Sequence, residues 1–175
     1  MKEGFEERAR GVRLMIFDVD GVLTDGTLLY GPAGEELKRF SAHDGHGIKM
    51  LMANGVDCAL LSGRRSAAVA ARAAELGIET VFQGIEDKLE VFQQLIARQR
   101  LTLPQAGYMG DELVDLPVLT RCGFACAPRE APEAVRARVH YVAQAAAGRG
   151  AVREVCELLM RAQHTFEQAL GKYLS

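Results

Sequence analysis

Two aspartates stand two residues apart in Asp18-Val19-Asp20-Gly21, directly after the apolar run Leu14-Met15-Ile16-Phe17. Alone, the pair would serve as turn formers closing a strand. Other apolar runs end in a similar way. The run 56–61 is followed by Ser62-Gly63-Arg64, and 106–109 by Gly110-Asp111, with Glu112 and Asp115 close behind. Lys88 opens a helical pattern after the run 78–82. If these runs are parallel strands, their carboxyl ends deliver several acids, one hydroxyl and one lysine to a single sheet edge. Open α/β sheets bind ligands at that edge. Carboxylates gathered so closely need a cation, and an all-oxygen site with few ligands suits Mg2+.

The elements that must position these residues are legible in the periodicity. Short apolar runs bounded by polar residues suit buried parallel strands, with a fifth and weaker one at 123–127. Between them, 45–53 carries Ile48, Leu51 and Met52 on one helical face, and 66–76 is alanine-rich and stops at Gly77. The segment 88–99 spaces Leu89, Phe92, Leu95 and Ile96 as a helix does, and 151–169 reads as one further long amphipathic stretch. This alternation predicts an α/β fold, a doubly wound parallel sheet, in one domain spanning 1–175 with a C-terminal helix and tail over 151–175. Residues 27–40 break the alternation: two strand-like pieces flank Gly31-Pro32-Ala33-Gly34, which predicts an inserted β-hairpin.

Composition narrows the function classes. The chain has 175 residues, 49% hydrophobic and 25% charged, the balance of a folded globular domain. A net charge of -2 gives no basic face for nucleic acid. No apolar run approaches the roughly 20 residues of a membrane span. The first eleven residues have no signal-peptide core, so the expected compartment is the cytoplasm. Cys58, Cys122, Cys126 and Cys156 are scattered and read as buried reduced thiols without a zinc site. His46, His140 and His164 read as structural or solvent-facing.

The ordered set of DxDG, a serine, a lysine and GD followed by Asp115 resembles the four motifs of the haloacid dehalogenase superfamily. The resemblance implies that Asp18 is the nucleophile that forms an aspartyl-phosphate. It makes Asp20 the acid and then the base, with Ser62 and Lys88 holding phosphoryl oxygens. Mg2+ would be held by Asp18, Asp111 and the backbone carbonyl of Asp20, and Asp115 would orient the site from behind. An acid at Asp20 looks like a phosphatase or phosphomutase, and the absence of a large insertion argues against the mutase. Many relatives carry a second Asp where this chain has Glu112.

Over nearly its whole length the chain is similar to the 3-deoxy-D-manno-octulosonate 8-phosphate phosphatases. The likeness rests on DGVLTDG, the hairpin, Phe40, Asp44-Gly45-x-Gly47-Ile48-Lys49, Leu61-Ser62-Gly63-Arg64 and the late GRGAVRE from Gly148. That family is capless and tetrameric, with hairpins paired at the centre and neighbours helping to close each site. Its substrate contacts map onto Asp20, Ser41, Ala42, His43, Asp44, Gly45, Lys49, Arg64, Arg72 and Lys88, and Arg149 stands where a neighbour's site would be lined. The resemblance therefore implies a homotetrameric, Mg2+-dependent phosphatase of lipopolysaccharide precursor synthesis acting on a small sugar phosphate. A phosphatase of a sialic-acid-type nonulosonate 9-phosphate is the nearest alternative. An inactive sugar-phosphate-binding scaffold is a remoter one, since Asp18, Asp20, Lys88 and Asp111 are all present.

Overall fold

The computed structural model describes residues 4–174. Met1 to Glu3, at the head of the segment expected to lack an export signal, and Ser175, the end of the expected tail, lie outside the described residues.

Leu14–Phe17 forms β1, and all four side chains are fully buried. Successive strand residues point to opposite faces, so burial of every one requires cover on both sides. Leu14 and Ile16 enter one core, while Met15 and Phe17 enter the other. Each such side chain contributes about 1.5–3 kcal/mol on burial, so β1 anchors both layers at once. It pairs in parallel with β4 (Asp57–Ser62) on one side and β6 (Ala106–Met109) on the other. Further out lie β5 (Thr80–Gln83), β7 (Phe124–Ala127) and a two-residue β8 (Tyr141–Val142). The order is β5-β4-β1-β6-β7-β8 with every pairing parallel, which bears out the doubly wound expectation.

The helices divide between the faces. α1 (Phe5–Gly11), α2 (Ala42–Ala53), α3 (Ala67–Leu76), α7 (Ala151–Ala162) and α8 (Phe166–Gly171) cover the face of Met15 and Phe17. α4 (Lys88–Arg98), α5 (Leu116–Leu119) and α6 (Glu133–Arg136) cover the face of Leu14 and Ile16. After β1 the chain builds β4 and β5 to one side, then returns to lay β6 on the other. The order therefore reverses between β1 and β6, the topological switch point where doubly wound sheets open a crevice. The inserted segment forms the antiparallel pair β2 (Leu29–Tyr30) and β3 (Glu36–Leu37).

Two boundaries differ from expectation for physical reasons. The stretch 151–169 is two helices: α7 stops at Ala162, and His164 takes φ 58°, a conformation no helix interior accepts. Gln163 fixes this break by donating to the carbonyls of Ala9 and Val12 at 3.3 and 2.8 Å. α2 starts at Ala42 because Ser41 caps it, its hydroxyl accepting from the Asp44 N–H at 3.3 Å.

Asp44 then ties α2 to α7. It is 1% exposed, and its carboxylate accepts from the N–H groups of Gly150 at 3.2 Å and Arg153 at 2.8 Å. Those amides belong to the N-terminal turn of α7, where the helix dipole also favours an anion. Replacing Asp44 by Ala should lower stability by about 1.5–3 kcal/mol, the range for hydrogen bonds to a charged group. Urea unfolding checks this: the midpoint should fall with an unchanged slope, and a shift under ~0.5 kcal/mol would refute the anchoring role.

Candidate active site

β1 hands the chain to Asp18, whose N–H donates to the Met109 carbonyl at 2.9 Å and so stays in register with β6. Asp18 Oδ1 accepts from the Val19 N–H at 2.7 Å, and Oδ2 accepts from Lys88 Nζ at 2.7 Å. Lys88 arrives here because Asp87 caps α4, its carboxylate accepting from the Glu90 N–H at 3.0 Å. The chain then turns through Val19–Leu23. Gly21 has φ 82°, and a Cβ there would fall 2.0 Å from Asp111 Oδ2. Only glycine lets this turn pass over the carboxylate.

β6 ends at Met109, and the short turn Leu113–Asp115 brings Asp115 back beneath the loop. Asp115 is fully buried. Its Oδ1 accepts from Lys88 Nζ and the Tyr108 hydroxyl, both at 2.7 Å. Its Oδ2 accepts from the N–H groups of Asp111 at 3.0 Å and Glu112 at 3.1 Å. Both oxygens are occupied by protein donors, so Asp115 holds Lys88 and the Asp111 loop in place.

Oxygens of Asp18, Asp111 and Asp115 lie within 4.8 Å of one another. Three carboxylates against one ammonium leave two negative charges in a site where Asp18 and Lys88 are only 7% and 6% exposed. Asp111 Oδ1 is buried and has no hydrogen-bond partner. That charge deficit and that orphaned oxygen fit a hard divalent cation held by the carboxylates of Asp18 and Asp111. Burial, with the charge of Asp115, raises the Asp18 pKa to about 6. Burial, with the charges of Asp18 and Asp115, raises Asp111 to about 7. Burial alone would lower the Lys88 ammonium, but Asp18 and Asp115 outweigh it and hold its pKa above the usual value. Tyr108 is pushed well above the usual phenol value by burial and by Asp115, which keeps it a donor.

Ser62 ends β4, 2% exposed, and its Oγ accepts from the Arg64 N–H at 3.2 Å. Asp20 is not part of the carboxylate cluster; its side chain is paired with Lys38. Several expected substrate contacts are placed otherwise. Arg72 donates to the Ser41 carbonyl at 3.0 Å and pairs with Glu75 at 2.8 Å, so its guanidinium is a brace at the start of α2. Gly45 is the residue that admits it, because a Cβ there would meet Arg72 Nη2 at 2.1 Å. The carboxylate of Asp44 is taken up by the N-terminal turn of α7, as described. Arg64 donates to Tyr30 and Glu36 of the hairpin, both at 3.2 Å. Ala42, His43 and Lys49 are exposed on α2.

Of the three histidines read as structural or solvent-facing, His46 and His164 are exposed, whereas His140 accepts from the Ala125 N–H at 2.8 Å. All four cysteines are buried and unbridged. Arg149 is exposed, 4.0 Å from Asp25, and lines a cleft of about 500 Å3 beside Gly21 and Asp111. Sequence reasoning missed Lys38, Glu36 and Tyr108. Tyr108 sits inside an apolar run and reads as core. Glu36 and Lys38 alternate along one strand, a signal that was available.

No protein-family model matches the sequence. The 3-deoxy-D-manno-octulosonate 8-phosphate phosphatase KdsC of Yersinia pestis is 42% identical over 165 residues, 94% of this chain and 88% of the relative. The chain belongs to the KdsC phosphatases of the haloacid dehalogenase superfamily. Solved structures of the family agree with its geometry. A probable yrbi family phosphatase from Pseudomonas syringae pv. phaseolica 1448a superposes with TM-score 0.97 at 46% identity over 99% of both chains. The 3-deoxy-D-manno-octulosonate 8-phosphate phosphatase of Moraxella catarrhalis, solved with magnesium ion, phosphate ion and KDO, gives TM-score 0.96 at 36% identity over 99% of both chains. No helix among the described residues is long and apolar enough to cross a membrane.

The raised carboxyl groups set a pH dependence for cation binding. Protons compete for Asp18 and Asp111, so Mg2+ affinity should be level above about pH 8 and fall as pH drops through 7 and 6. With two protons displaced, the loss steepens toward about 100-fold per pH unit below the lower step. Calorimetry in buffers of different ionisation enthalpy counts those protons. An affinity that does not change between about pH 8 and about pH 5.5 would refute the assignment.

Proposed function

We propose that this chain is a Mg2+-dependent phosphomonoesterase that hydrolyses 3-deoxy-D-manno-octulosonate 8-phosphate to the free sugar acid and phosphate. What carries the reading is the Asp18, Asp111, Lys88 and Asp115 cluster, in a chain alike over 94% of its length to KdsC. The Moraxella catarrhalis neighbour, solved with magnesium, phosphate and KDO, supports the same substrate class.

Asp18 attacks phosphorus, and the P–O bond to the sugar breaks as the Asp18–phosphorus bond forms. Asp20 gives its proton to the departing alkoxide. It then takes one from the water that attacks the same phosphorus and frees Asp18. Lys88 has three N–H bonds, two of them given to Asp18 and Asp115, which leaves one for a phosphoryl oxygen. The Ser62 hydroxyl accepts from Arg64 N–H and keeps its own proton to donate to another. Asp18, Asp111 and the Asp20 backbone carbonyl would hold Mg2+, which would neutralise charge on the phosphoryl group.

The same proposal extends to assembly and setting. The hairpin presents Leu28, Leu29, Tyr30 and Leu37 at 43–59% exposure, an apolar face that supports pairing with other copies in a homotetramer. Neighbours would then enclose the sugar, with the exposed Ala42, His43, Lys49 and Arg149 available to contact it or the adjoining subunit. The setting is the cytoplasm, in lipopolysaccharide precursor synthesis. The whole chain, 1–175, acts as one domain.

Asp18→Asn should keep the fold and lose turnover by on the order of 10⁴-fold or more, since an amide cannot form the acyl phosphate. Phosphate release should be measured with and without Mg2+ on a panel containing the octulosonate 8-phosphate and a nonulosonate 9-phosphate. Appreciable turnover by folded Asp18→Asn would remove the nucleophile, and a preference for the nine-carbon acid would reassign the substrate. For assembly, light scattering should give four chains. Replacing residues 28–37 with a short Gly-Ser loop should give smaller species, and a monomeric intact protein would refute the tetramer.

A further inference from the structure

Lys38 is a lysine whose side chain is only 2% exposed, although it lies on a surface hairpin. Burying an ammonium is unfavourable unless partners surround it. Its partners are Asp20 and Glu36, both in direct ionic contact with Nζ. Strand alternation produces this arrangement. Glu36 in β3 and Lys38, the residue just after it ends, are two positions apart and turn inward together, while Leu37 between them is 51% exposed. Arg64 completes the circuit: its Nη2 donates to Glu36 Oε2 at 3.2 Å, and its Nε lies 4.0 Å from Asp20 Oδ2. Asp20, Lys38, Glu36 and Arg64 thus form a closed ring of two negative and two positive charges. The ring is balanced without a metal, unlike the carboxylate cluster around Asp18.

The contact falls on one oxygen of Asp20. Lys38 holds Oδ1, and Oδ2 is buried without a hydrogen-bond partner. We infer that Lys38 is a positioning residue for the reaction: the hairpin lends an ammonium that fixes one oxygen of Asp20 and leaves the other to exchange the proton. The inference rests on the phosphatase reading, with Asp20 as acid and base. It differs from a purely structural role, in which the ring merely fastens the hairpin to the sheet. A fastening role would affect every substrate alike. A role in orienting the acid weighs most on a leaving group that cannot depart without a proton.

The test compares phosphoenzyme formation from two substrates in single-turnover rapid-quench experiments, using the full-length protein saturated with Mg2+. 3-Deoxy-D-manno-octulosonate 8-phosphate expels a primary alkoxide, whereas 4-nitrophenyl phosphate expels a stabilised phenolate. Lys38→Met should slow the step far more for the sugar phosphate, shifting the ratio of the two rates by about tenfold or more. Lys38→Arg, which restores a cation, should recover most of that shift. Equal slowing of both substrates, no slowing, or an effect confined to KM would overturn the inference while leaving the phosphatase reading intact. If Lys38→Met does not fold, Glu36→Gln loosens Lys38 from its other side and should shift the ratio in the same direction; no shift overturns the inference. A wild-type protein that forms no phosphoenzyme from either substrate overturns the phosphatase reading and this inference with it.

Discussion

Two surplus negative charges at the switch point between β1 and β6 govern the organisation of this molecule. Asp18, Asp111 and Asp115 approach within 4.8 Å, and Lys88 is the ammonium that bridges two of them. Carboxylates at that separation repel strongly when burial weakens solvent screening. The raised proton affinities of Asp18 and Asp111 express that repulsion. A fold with β1 and β6 apart, or antiparallel, would not bring the two strand ends to one edge. β1, buried on both faces, supplies the packing that holds them there.

Tolerating such a site requires fixed geometry around it. Gly21 removes a side chain that would collide with Asp111, and Asp115 receives four hydrogen bonds that leave it no freedom to relax. Tyr108 reaches that carboxylate from within the buried strand β6, so the sheet itself restrains the loop above it. The cluster can lower its charge in two ways, by taking up protons or by holding a cation. Above the raised carboxyl pKa values the first route closes, and the ionised form is the one prepared for a divalent ion.

The parts of this site that were legible in the sequence are those fixed by local rules. Asp18, Ser62 and Asp111 follow apolar runs directly, and Lys88 opens a helix, so locating the strands located the residues. What was illegible depends on distant partners. Family resemblance places Asp44 among the substrate contacts, and its partners are amides more than one hundred positions away at Gly150 and Arg153. The same resemblance places Arg72 there, and α3 brings it against the Ser41 carbonyl. β8 is two residues long, too short for any periodicity to announce, and it is fixed by pairing to β7 and by the distant Tyr141–Glu154 hydrogen bond. His164 breaks the last amphipathic run through backbone strain that its apolar pattern conceals.

The hairpin shows why that last class of information matters for function. Its two faces carry opposite chemistry in a segment of about a dozen residues. Glu36 and Lys38 turn toward Asp20 and Arg64, and Leu28, Leu29 and Leu37 turn to solvent. The inner face is charged, and Lys38 within it is nearly excluded from water, so its ion pairs are less screened than fully exposed pairs. The outer face gains stability only by being covered. Any contact that covers Leu37 also restrains Glu36 and Lys38, its immediate neighbours along the chain. Arg39, paired with Asp25, links the base of the hairpin to the loop that follows Asp18. Backbone alternation at one short strand therefore links the exposed apolar face to the ion pairs around Asp20.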